Sequence, residues 1–140
     1  MPGGFEPQTD VQIAIIPIDG HLESSPTEVE ACLLACPSLV NMKMELLSVG
    51  YRANTNVVDA GTTTVDIEFI DDSNSDAVAD ILAGYDLTGA TVLVYNQIWR
   101  GSQILDAGDV INAEFTTDGS LSTPAQGAAL IVEYRVLRHS

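Results

Sequence analysis

Gly108-Asp109-Val110-Ile111-Asn112-Ala113-Glu114-Phe115-Thr116-Thr117-Asp118-Gly119 changes side-chain character with a period of two. Ile111, Ala113 and Phe115 fall on one face of an extended chain, and Val110, Asn112 and Glu114 on the other. That is the pattern of a half-buried strand; a helix would need apolar residues at three- and four-residue spacing. Gly108 permits a turn backbone that other residues resist. Asp109 can accept a hydrogen bond from a nearby amide and fix that turn. The stretch is a turn feeding a strand, and a chain built from such units is a β protein.

The same period continues on both sides. Downstream, Asp118–Gly127 is rich in Gly, Ser, Thr and Pro and reads as a long hairpin loop. The strand Ala128–Leu137 follows, with Leu130, Val132, Tyr134 and Val136 on its core face. Upstream, Arg100-Gly101-Ser102 reads as a turn and Thr91–Ile98 as a strand. Val92 and Val94 oppose Leu93 and Tyr95, so both of its faces are apolar and a central position is expected. Val65, Ile67 and Phe69 alternate with Asp66 and Glu68. Val40, Met42, Met44 and Leu46 alternate with polar residues until the phase slips at Leu46-Leu47 and resumes through Val49 and Tyr51, as a β-bulge would make it. Asn54–Thr64 reads as a loop, and Val11–Ile18 as a strand stopped by Pro17-Ile18-Asp19-Gly20.

Two segments carry helical spacing. Ser25, Pro26 and Glu28 suit a helix start, and Val29, Cys32, Leu33 and Cys36 recur at i, i+3, i+4, i+7 before Pro37. Ser75 can cap a second short helix, with Val78, Ile81 and Leu82 on one side and Gly84 at its end. The sum is six or seven strands and one or two short helices. A parallel α/β sheet is disfavoured. The expected fold is mainly β: a single-domain β-sandwich or jelly-roll-like barrel over residues 11–140, preceded by a flexible arm at 1–10.

A chain of 140 residues, 46% hydrophobic, is sized for one domain with a real core. Twenty acids against five bases give −15, which argues against nucleic acid and against anionic membrane surfaces. No window is long and apolar enough for a transmembrane helix, and Met1–Asp10 lacks the basic and apolar regions of a signal peptide, so synthesis in the cytoplasm is expected. From Ala53 to Trp99 there are eight acids and no base, whereas Arg100, Arg135 and Arg138 come late.

Chemistry-bearing motifs are sparse. His21 and His139 stand alone, no nucleophile elbow or phosphate loop occurs, and no residue stands out as a positioned base, so no enzyme and no cofactor are expected. Asp72-Ser73-Asn74-Ser75-Asp76 matches the first half of a calcium loop. Ala77 then replaces its turn glycine and Ala83 its bidentate acid, so it reads as a solvated loop and no metal is assigned. On a helix, Cys32 and Cys36 would project side by side, a poor disulfide geometry. They also lack the second pair a zinc site needs, and read as small buried apolar side chains.

The stretch from Leu105 to Gly119 resembles a recurring segment of tailed-bacteriophage virion proteins. In those proteins a Gly-Asp-Val-Ile turn enters a strand, a Thr-rich hairpin follows and a strand ends the chain, here Leu130–Val136. Ile15-Ile16-Pro17-Ile18-Asp19-Gly20 and the strand near Val65 agree in order. The resemblance covers about 35 residues closely. It is to small head decoration (cement) proteins and implies a virion structural protein on the capsid exterior. Such a protein bridges major capsid protein subunits as a homotrimer, without catalysis. A carbohydrate-binding or host-adhesion sandwich is the alternative; it would use exposed aromatics among Tyr51, Tyr85, Tyr95, Trp99 and Tyr134. The residues expected to contact a partner are Phe5, Trp99, Arg100, Arg135 and Arg138.

Overall fold

A computed structural model describes residues 10–56, 61–121 and 123–138. Eight strands follow one another: β1 (Val11–Pro17), β2 (Glu30–Ala35), β3 (Met42–Arg52), β4 (Thr63–Asp71), β5 (Ala77–Asp86), β6 (Asn96–Leu105), β7 (Val110–Thr117) and β8 (Ala129–Arg138). The first pairs with the last, the second with the seventh, the third with the sixth and the fourth with the fifth, all antiparallel. This is one long hairpin with its tip between β4 and β5. Rolled up, it adds the pairs β3·β8 and β4·β7 and closes into two four-stranded sheets. Sheet A has the order β1-β8-β3-β6 and sheet B the order β2-β7-β4-β5. The fold is a jelly-roll β-sandwich.

The alternation that marks the strands also builds the core. Leu46, Val49, Tyr51, Leu105, Leu130 and Val132 of sheet A face Val65, Ile67, Ile111, Ala113 and Phe115 of sheet B, all buried. Each fully buried large aliphatic contributes roughly 1.5–3 kcal/mol. The slip at Leu46-Leu47 is a bulge: the register of β3 shifts between Leu46 and Ser48 against both neighbours.

Several expectations are corrected. Neither helix forms; the described residues contain only two short 3-10 turns, Asp19–His21 and Asp72–Asn74. The segment with Val29, Cys32, Leu33 and Cys36 is strand β2 and its flanks, and the segment after Ser75 is strand β5. In both, register shifts imitate helical spacing: one lies between Cys32 and Leu34, and two interrupt the pairing of β4 with β5. A bulge turns neighbouring residues such as Leu33 and Leu34 to the same side, and both are buried. Cys32 is exposed and only Cys36 is buried; both are free. Thr91–Tyr95 is a loop, and the strand begins at Asn96 and runs through Arg100-Gly101-Ser102 at a sheet edge. The Asn96 side-chain amide donates to the carbonyls of Thr91 and Val94 and holds that loop closed. Val40 is 90% exposed and lies outside β3. The loop 118–127 joins no hairpin but crosses from sheet B to sheet A. The expected arm lies, apart from Asp10, outside the described residues.

Candidate functional site

Sheet topology sorts the charges. All five cations of the chain, Lys43, Arg52, Arg100, Arg135 and Arg138, lie on strands of sheet A, beside two acids, Glu45 and Glu133, for a balance of +3. The strands of sheet B carry seven acids and no cation, a balance of −7: Glu30, Asp66, Glu68, Asp71, Asp80, Asp86 and Glu114. The sandwich is polarised across its thickness.

Three cross-strand rows span the outer face of sheet A from edge to edge. Val11, Arg135, Glu45 and Ile104 form one; Ile13, Glu133, Ser48 and Arg100 the next; Ile15, Ile131, Gly50 and Gln97 the third. Ile13 and Ile15 are 65% and 68% exposed. Tyr95, also exposed, lays its ring over Gly50, where any Cβ would collide with it at 2.1 Å. The polar members of the rows bond among themselves. The Arg135 guanidinium pairs with Glu45 at 3.0 Å, and the Ser48 hydroxyl donates to Glu133 at 2.5 Å. Ser102 donates to Glu45, and Arg100 to the Gln97 carbonyl oxygen at 3.2 Å. Lys43 pairs with Asp106 at 3.1 Å. Among the described residues Arg52, Arg100 and Arg138 pair with no carboxylate.

The outer face of sheet B is acidic. Glu30, Glu114 and Asp66 lie in one row, and Cys32, Asn112, Glu68 and Asp80 in the next. Carboxylate oxygens of Glu30, Glu68 and Glu114 come within 4.8 Å of one another, close enough to share a cation. Partial burial, then the Glu114 carboxylate, push Glu68 above the usual carboxylate range; an Asn112 hydrogen bond opposes this, and Asp80 and Glu30 add to the rise. Crowded anions on one face keep other anions away.

The sequence-chosen contact residues divide. Arg100 and Arg135 share the outer face of sheet A, one row apart and with β3 between their strands. Arg138 is exposed at the end of β8. Trp99 is half-buried: it pairs with the core residue Val49, packs against the core cluster and covers Gly101 rather than standing out in a turn. Phe5 lies outside the described residues. Of the aromatics considered for sugar binding, Tyr51 is buried, Tyr85, Trp99 and Tyr134 are partly buried, and Tyr95 is exposed. Reading along the sequence missed Val11, Ile13, Ile15 and Ile104 as surface residues. They alternate as core residues do, and only the pairing tells which side they face.

No family model matches the sequence, and no curated protein matches it either. Among solved structures it is similar to a chain in the structure of infectious bursal disease virus, Gt strain, at 12% identity and a TM-score of 0.36. That likeness covers 94% of this chain and 34% of the other, and a likeness so distant carries no functional argument.

Proposed function

We propose that the protein is a virion structural protein, a decoration protein that docks on a tailed-phage capsid and stabilises it by bridging major capsid protein subunits. The observation that supports this best is the division of the sandwich into a cationic, aliphatic sheet A and an acidic sheet B. A decoration protein needs a rigid core, one adhesive face and one soluble face. Exposed Val11, Ile13, Ile15 and Tyr95 give sheet A apolar contact area. Arg52, Arg100 and Arg138 give it cations free to pair with acidic groups of a shell. Sheet B, with the tip loop of Asp72–Asp76, then faces solvent. The resemblance in Leu105–Gly119 points the same way.

On this reading the contact itself does the work. A protein that binds only the assembled shell stabilises that state by mass action. An interface of about 800 Å² per partner is ordinary for specific binding. A homotrimer at three-fold positions would grip several subunits at once and gain avidity. The test strips the protein from particles and heats both forms. Complete particles should keep their contents to a higher temperature and through osmotic shock. Equal survival of stripped particles would overturn the stabilising role.

A further inference from the structure

Four strands lie at sheet edges, and three of them are blunted. β6 carries two register shifts against β3. β2 carries one, with Glu30 at its start. β5 carries two, with Gly84 at φ +62 and acids at Asp80 and Asp86. Bulges and charges are the devices that stop an edge from pairing with another chain. β1 has neither. Its seven residues, Val-Gln-Ile-Ala-Ile-Ile-Pro, run in unbroken register with β8 and include no charged side chain. Among the described residues its guards are Pro17 at one end and Asp10 just before the other. Among the described residues no strand pairs with its free side.

We propose that β1 is a self-association edge. β1 of one copy pairs antiparallel with β1 of a second copy and joins two four-stranded sheets A into one of eight. Charge allows a second copy at this edge. Chains of −15 repel one another, and a contact that brings no acids together adds least to that repulsion. β1 is uncharged, Glu133 and Arg135 on the neighbouring strand offset each other, and the seven acids of sheet B lie on the other layer. The sequence is also self-complementary. Two-fold antiparallel pairing sets Val11, Ile13 and Ile15 beside the same aliphatics of the partner on one face, the kind of cross-strand contact that stabilises a sheet. An isologous edge closes at two copies and does not propagate. The strand is only about 23 Å long at ~3.3 Å per residue, so the contact is small and concentration-dependent. The proposal stands apart from the virion reading. In a three-fold array the same edge would link one trimer to the next.

Native mass measurement of the full chain across concentration tests this, with Ile13→Lys, Ile15→Lys and, as a control on the blunted edge β5, Val78→Lys. Both isoleucines are exposed, so each variant should melt as the parent does. The parent should reach a mass of two copies, or of two or more linked trimers where the trimer also forms, and do so at lower concentration as salt screens the repulsion. Ile13→Lys and Ile15→Lys should return it to one copy or one trimer, or raise the concentration needed about tenfold, while Val78→Lys leaves the mass unchanged. A parent that stays at one or three copies throughout would overturn the proposal. So would isoleucine variants that melt normally and keep the full mass. So would pairing that appears only after residues 1–9 are removed, since the chain's own start would then hold the edge.

Discussion

Tyr51 packs between the sheets with 1% of its surface exposed. Burial, with a smaller push from Asp19, raises its phenol to about 12. In the unfolded chain the group ionises near the ordinary value of about 10. The native state therefore holds a proton that the unfolded state gives up. Its contribution to stability is complete below pH 10 and is lost as pH rises through the window from 10 to about 12. Tyr51→Phe should flatten the fall of melting temperature across that window, read by thermal melts at stepped pH. The same slope in both proteins would mean that Tyr51 is not the group responsible. Tyr51's inward face was legible from its alternation with Gly50, in phase with Val49. The exposure of Cys32 was not, because its spacing from Leu33 and Cys36 fits a helix and a bulged strand equally well.

The turn from β6 to β7 joins elements that are far apart in sequence. Asp109 is buried and accepts from the amide of Asp72 at 2.9 Å with one oxygen and from that of Asp106 at 2.8 Å with the other. Its own carbonyl accepts from the Cys36 amide, and the Gly108 amide donates to the Cys36 carbonyl, both at 2.9 Å. The turn thereby ties the end of β2 to the β4–β5 tip. Asp109→Ala removes the acceptor of two part-buried hydrogen bonds, from the amides of Asp72 and Asp106, and should cost about 2 kcal/mol, measured by denaturant unfolding. A loss under about 0.5 kcal/mol would show that water replaces the carboxylate. Gly108 and Asp109 could be read from sequence because a turn leaves a local signature. Its distant tie to Asp72 could not. Bulged edges failed for a related reason: β2 and β5 break the two-residue period, and one broken period resembles another.

At the scale of the whole molecule the roll of one long hairpin decides what each surface is. Alternation in Val65–Phe69, Val110–Phe115 and Leu130–Val136 was enough to expect a sandwich. The sorting of charge was hidden, because Lys43, Arg52, Arg100, Arg135 and Arg138 are scattered along the chain and meet only when β3, β6 and β8 share a sheet. The sorting is the basis for proposing sheet A as a docking face. Binding of variants to stripped particles measures that assignment most directly, because one face can be altered without the other. Arg100→Glu reverses a cation that pairs with no carboxylate among the described residues; Glu114→Gln removes one acid from sheet B. Both variants should fold, and their melts serve as the check. Arg100→Glu should weaken binding about tenfold or more, a loss of roughly 1.4 kcal/mol, and Glu114→Gln should change it less than about twofold. Binding lost with Glu114→Gln and kept with Arg100→Glu would contradict the account, because the acidic sheet would then be the one that meets the shell.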